Sequence, residues 1–175
     1  MLFPNQILDR SKKDVALSVH SEIDANVWFK VSLKIAEGID HFHQQSIVHR
    51  DLKTDNVAMY EQNNTLMPVI IDFGKSDFIQ NTKKYSLTAE QKKEYRIKHK
   101  HIAPDLVDGI TKPSPSSDIY SYGRIFKSIV RNFPISREII PPVVVNMVNN
   151  CLSYHSSQRP HAKSIIFTLK ATITS

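Results

Sequence analysis

Eight consecutive residues, His49-Arg50-Asp51-Leu52-Lys53-Thr54-Asp55-Asn56, lie between a long amphipathic helix pattern and a pair of short strand patterns, and Asp72-Phe73-Gly74 ends the second strand. The helix pattern runs from Asp24 to Gln45. Its apolar residues Val27, Val31, Ile35, Ile39 and Phe42 recur at steps of three and four, which puts them on one face. Asp24 is suited to cap its start. Val57-Ala58-Met59-Tyr60 and Pro68-Val69-Ile70-Ile71 read as strands around the polar turn Gln62-Asn63-Asn64. The ionisable run is therefore held between regular elements on both sides.

From Gly74 to about Ile102 the chain is polar and poor in periodicity, which predicts a long surface segment. Helical patterns return over Asp118 to Val130, Val143 to Leu152 and Ala162 to Leu169, separated by prolines. Ser116 or Ser117 is expected to cap the first of these, and Ser136 to Glu138 lies in the turn before the second. The fold class expected is mainly α with a small β-hairpin region. A length of 175 residues supports one domain with a real core.

The run from His49 to Asn56 matches the catalytic-loop pattern of protein kinases with no fixed position missing, and Asp72-Phe73-Gly74 follows at kinase-like spacing. Ala103-Pro104-Asp105 is similar to the family's Ala-Pro-Glu. The stretch Ser117-Asp118-Ile119-Tyr120-Ser121-Tyr122-Gly123 is similar to its F-helix motif, and Arg159-Pro160 to its late arginine. A lone Asp-Phe-Gly would mark only a turn. Five landmarks in order identify the chain as resembling the C-terminal lobe of a eukaryotic serine/threonine-type protein kinase over roughly residues 24 to 172. The resemblance sets a catalytic loop at 49–56, an activation segment at 72–105 and later helices over 118–172, within a partial domain spanning 1–175.

The resemblance implies ATP and Mg²⁺ as cofactors and a protein as substrate. Asp51 would orient the attacking hydroxyl and accept its proton, with Lys53 beside it for the transferred phosphoryl group. Asn56 and Asp72 would be the metal ligands, the hard oxygen donors that Mg²⁺ prefers. Lys53, Asp55, Asn56 and Asp72 together would contact the nucleotide. His49 would pack beneath the loop, Asp118 would accept backbone hydrogen bonds from it, and Asp105 would pair with Arg159 across the lobe. Arg50 would meet a phosphate placed on the activation segment by an upstream activating kinase, with Ser76, Thr82, Tyr85, Ser86, Thr88 and Tyr95 as candidate sites.

Four departures from the family stand out. With glycines only at 38, 74, 109 and 123, no Gly-x-Gly-x-x-Gly lid can be assembled. No strand lysine in a Val-Ala-Ile-Lys context occurs, and Lys12 and Lys13 sit in a polar stretch. The N-terminal lobe is thus expected to be absent, as in a fragment. Asp105 replaces the usual Glu and shortens the reach to Arg159. Lys98 occupies the approximate place of a threonine that touches the catalytic aspartate in the family. A catalytically silent kinase-like binding or scaffold module is the competing expectation.

Charge and composition limit other classes. Lys83 to Lys100 holds seven cations against two anions, but it gives no specific nucleic-acid signature. His41, His43 and His49 lie close in sequence, as do His99 and His101, with no spacing of a zinc site. Cys151 is the single cysteine, which excludes an internal disulfide. No signal sequence and no apolar run of membrane-spanning length is visible, so a cytoplasmic location is expected.

Overall fold

The apolar stripe read from Val27 to Phe42 forms the face of helix α1 (Ala25–Gln44), and Trp28, Phe29, Val31, Ile35, Ile39 and Phe42 are all buried. The computed structural model describes residues 25–132 and 140–174. Asp24, Lys12, Lys13 and the Ser136–Glu138 turn lie outside them. After α1 come β1 (Ile47–Val48), β2 (Val57–Gln62), β3 (Thr65–Ile70) and β4 (Asp77–Phe78). Helices α2 (Ala89–Lys98), α3 (Pro104–Val107), α4 (Pro115–Asn132), α5 (Pro142–Cys151) and α6 (Ala162–Ile173) follow.

The core forms where α1 lies against α6 and α4. Ile165 and Leu169 of α6 and Ile119, Tyr122 and Phe126 of α4 are buried there. Fully burying each such side chain contributes about 1.5 to 3 kcal/mol, so these helices make a rigid platform. Tyr122 also donates from its hydroxyl to the Ser32 carbonyl, 3.3 Å away, which joins α4 to α1.

β2 and β3 form an antiparallel hairpin in which Val57 faces Ile70 and Gln62 faces Thr65. Asn63 and Asn64 take the turn at φ 50° and 58°, left-handed geometry that asparagine tolerates and a two-residue hairpin requires. β1 pairs separately with β4, Ile47 opposite Phe78. The two pairs tie the segment after α1 to the chain on either side of Asp72.

The surface segment after Gly74 also carries a helix that its lack of periodicity did not reveal: α2 runs through its middle. Thr88 accepts from the Gln91 N–H and Gln91 accepts from the Thr88 N–H, a reciprocal capping box. No residue of α2 is buried, so it carries no apolar stripe to reveal it; Thr88-x-x-Gln91 was the legible signal. The helix of the F motif begins at Pro115, earlier than the serines expected to cap it. Ser117 lies inside its first turn, where its hydroxyl donates to the Ser114 carbonyl and accepts the Ser114 N–H.

Candidate active site

The loop from His49 to Asn56 is fixed from below by α4. Asp118, 1% exposed, accepts the N–H of His49 at 2.9 Å and of Arg50 at 3.0 Å on its two carboxylate oxygens. His43 of α1 donates to the first oxygen at 3.0 Å. Arg50 sits at φ 69°, an uncommon conformation for a side-chain-bearing residue, which persists where surrounding bonds impose it. Asp51 follows directly on that kink and is itself buried, side chain included.

His49 is fully buried. The Asp51 N–H points at its Nδ1, 3.4 Å away, so Nε2 carries the proton and donates to the Ile71 carbonyl at 3.1 Å. Its ring lies 4.8 Å from Phe73 and 6.1 Å from Phe42, and Phe73 meets Phe42 edge-on at 5.8 Å. His49 thus links the loop to the Asp72-Phe73-Gly74 segment by both hydrogen bond and ring packing.

Both oxygens of Asp51 are engaged. His101 Nε2 lies 3.0 Å from Oδ1, and Lys53 and Lys75 each place Nζ 3.2 Å from Oδ2. Burial pushes the Asp51 carboxyl up, but the hydrogen bonds from His101, Lys75 and Lys53 outweigh it and hold the group below the ordinary aspartate range. Asp51 is therefore an anion at neutral pH. It opens onto a cavity of about 300 Å³ whose other walls include Arg50, Tyr85, Tyr95 and His99.

Asn56 is buried behind Asp51, its Nδ2 donating to the Asp51 carbonyl at 2.8 Å and approaching Oδ2 at 3.4 Å. The amide nitrogen is thereby committed and its oxygen is left for another partner. The Ile71 N–H donates to the Asn56 carbonyl at 2.9 Å, which extends the hairpin pairing by one step and brings the residue before Asp72 beside Asn56. Asp72 is exposed at φ 63°, with Oδ1 accepting the Gly74 N–H at 3.3 Å. A Cβ on Gly74 would stand 3.2 Å from that oxygen, so glycine leaves room for the carboxylate to fold over. The amide oxygen of Asn56 and the carboxylate of Asp72 are hard donors at one end of the hairpin, which suits Mg²⁺. Asp55 is exposed within the short helical turn Thr54–Asn56.

Asp105, 2% exposed, does reach Arg159: the guanidinium Nη2 donates to its Oδ1. Arg159 also donates to the carbonyls of Ser153, Ser116 and Tyr154. The shorter carboxylate is accommodated because three backbone carbonyls share the guanidinium.

Lys98 does not approach Asp51. It ends α2 exposed to solvent and pairs with Glu94 at 2.8 Å. His101, three residues on, makes the contact instead, because α2 turns the Lys98 side chain outward. The sequence reading missed His101 and Lys75; neither motif nor spacing flags a histidine 50 residues from its carboxylate. Arg50 faces Asp77 at 3.6 Å. Of the proposed switch positions, Thr82 is buried and donates to the Ile79 and Pro113 carbonyls, and Thr88 caps α2. Among the described residues no group of three potential His, Cys, Asp or Glu ligands gathers to hold a metal, and no helix is long and apolar enough to cross a membrane.

A family model described as protein kinase domain matches residues 6–168. The chain is 27% identical over 183 aligned positions to the proto-oncogene serine/threonine-protein kinase mos of Mus musculus, covering 89% of this chain and 51% of that protein. It is 26% identical over 193 aligned positions to the serine/threonine-protein kinase-transforming protein mos of Moloney murine sarcoma virus, covering 94% and 49%. Against the probable serine/threonine-protein kinase fnkE of Dictyostelium discoideum it is 25% identical over 150 positions, covering 78% and 11%. The chain spans about half the length of these curated relatives or less. With the matched span covering nearly all 175 residues, this chain belongs to the protein kinase domain family.

Proposed function

We propose that the chain supplies the catalytic lobe for transfer of the terminal phosphate of ATP to serine or threonine hydroxyls of proteins. The observation that carries this reading is the Asp51 carboxylate, ionised and held at a cavity by His101, Lys53 and Lys75, with the Asn56 amide locked directly behind it.

Asp51 orients the attacking hydroxyl and takes its proton as the new phosphoester bond forms and the bond from the terminal phosphorus to the bridging oxygen of ATP breaks, with ADP leaving carrying that oxygen. Lys53 lies within reach of the same carboxylate and offers its ammonium to the equatorial oxygens of the transferred group. Mg²⁺-ATP, when bound, supplies the phosphoryl group and neutralises its charge, with Asn56 and Asp72 as the residues that would hold the metal and Lys53 and Asp55 beside the phosphates. His49, Arg50 and Asp118 keep the loop in place, and Asp105 with Arg159 braces the lobe beneath the activation segment. Residues 1–175 act in this reading as a partial kinase domain that corresponds to the C-terminal lobe.

The test is phosphate transfer from Mg²⁺-ATP to a serine- and threonine-containing protein by the wild-type chain and by Asp51→Asn. Loss of about 10³-fold or more on substitution is expected for the group that handles the reacting proton. Transfer that survives Asp51→Asn would refute the assignment. Nucleotide binding with no transfer by the wild-type chain would favour a kinase-like binding module, whose pull toward that reading is that both Asp51 oxygens are already occupied by protein donors.

A further inference from the structure

The contact between His101 and Asp51 joins two parts of the chain that are each rigid. His101 has a side chain only 14% exposed, and Asp51 only 6%. The backbone at His101 is anchored where buried Ser121 of α4 donates to its carbonyl at 2.7 Å. Next to it, the Ile102 N–H closes on the His99 carbonyl at 2.9 Å, and three residues further the Asp105 carboxylate is clamped by Arg159. The imidazole is therefore presented to Asp51 from a fixed support, unlike Lys75, whose side chain is 66% exposed.

A carboxylate accepts only, so the His101 nitrogen facing Asp51 must carry the proton. We infer that His101 is the positioning residue that fixes the Asp51 carboxylate for reaction, and that protonation of its ring closes the acid side of the working pH range. The inference rests on reading Asp51 as the reacting base.

Every charged group facing the ring bears on this. Asp51 and Lys53 face it from the catalytic loop and Lys75 from the turn after β3, while Arg50, Tyr85 and Tyr95 lie across the cavity and His99 stacks edge-on 6.0 Å away. Burial lowers the His101 pKa; Asp51 pulls it partly back up, while Lys53 and His99 add to the lowering. The ring is therefore neutral at pH 7 and donates one proton to Oδ1. As pH falls through its titration the Nε2 proton stays, but a further positive charge now stands against a carboxylate that Lys53 and Lys75 already meet, and its capacity to take a proton from a hydroxyl drops.

Two variants separate the donor from the titration. His101→Gln keeps an N–H at about the same reach without titrating; His101→Leu keeps bulk without the donor. For the full chain with Mg²⁺-ATP and a serine peptide, His101→Leu is expected to lower kcat about 10- to 100-fold, the weight of one hydrogen bond to a charged group, with the peptide KM little changed. His101→Gln is expected to recover most of that kcat and to lose the fall in activity on the acid side. Equal kcat in all three, or an acid limb unchanged in His101→Gln, would overturn the inference.

A second measurement does not need activity. In histidine-ring ¹⁵N NMR of the labelled full chain, His101 is expected as the neutral Nε2-protonated tautomer at pH 7, and Asp51→Asn is expected to move its titration to lower pH by removing the carboxylate that favours the charged ring. An unmoved titration overturns the inference whatever the enzyme assay shows. Absent transfer with the expected NMR shift would instead count against the kinase reading and leave the contact standing.

Discussion

Asp118 holds the two ends of the kink before Asp51 on one side chain, accepting from His49 and Arg50 at 2.9 and 3.0 Å while His43 donates to it as well. An asparagine there has a single acceptor oxygen and turns its NH₂ toward a backbone donor. Asp118→Asn is expected to destabilise the fold by about 3 kcal/mol, a fall in Tm of about 6 to 12 °C for a chain of this size. A thermal melt that moved by less than a degree would show that the loop is held some other way.

Arg159 has a fully buried side chain and spreads its donors over Asp105 and three carbonyls. Asp105→Ala leaves that guanidinium charged and without its carboxylate, and is expected to cost about 3 to 5 kcal/mol. Arg159→Lys is expected to be nearly as harmful, because an ammonium is a point donor that does not span four acceptors. Urea unfolding followed by circular dichroism measures both.

Gly123 lies where α4 meets the end of α5. A Cβ there would stand 2.9 Å from the Cys151 Cβ and 3.0 Å from Leu152. Alanine would favour the helix by about 1 kcal/mol, but the clash falls on a fixed Cβ and forces the helices apart, at about 1 to 3 kcal/mol. The packing cost is the larger, so Gly123→Ala is expected to lower the unfolding midpoint and Gly123→Val to lower it further.

Cys151 is completely buried, and burial pushes its thiol up to about 12. A thiol reacts as its thiolate, so at pH 8 the native chain is expected to leave a disulfide reagent such as DTNB unconsumed, and the denatured chain to consume one equivalent. Rapid reaction in the native state would contradict the packing of α5 on α4.

The parts of this protein that were legible in the sequence are those in which pattern follows directly from local geometry. The stripe from Val27 to Phe42 gave α1, because a 3.6-residue period leaves one face apolar. Asn63-Asn64 gave the hairpin turn. The ordered motifs pointed to the family that the family model also matches over residues 6–168. Helix α2 escaped because it buries no residue; its only mark was the Thr88 and Gln91 cap.

Sequence by itself determined which residue types the site contains: a carboxylate at 51, an amide at 56 and a carboxylate at 72, carried on a loop between an amphipathic helix and a hairpin. It did not determine which distant groups surround them. Lys98 was the nearer match by position, yet α2 turns it to solvent, and the bond from Ser121 to the His101 carbonyl brings His101 to Asp51 instead. Helix and strand periods are set by neighbours a few residues away, whereas a contact across 50 residues depends on how a segment is anchored to the folded core, and only the tertiary structure decides that.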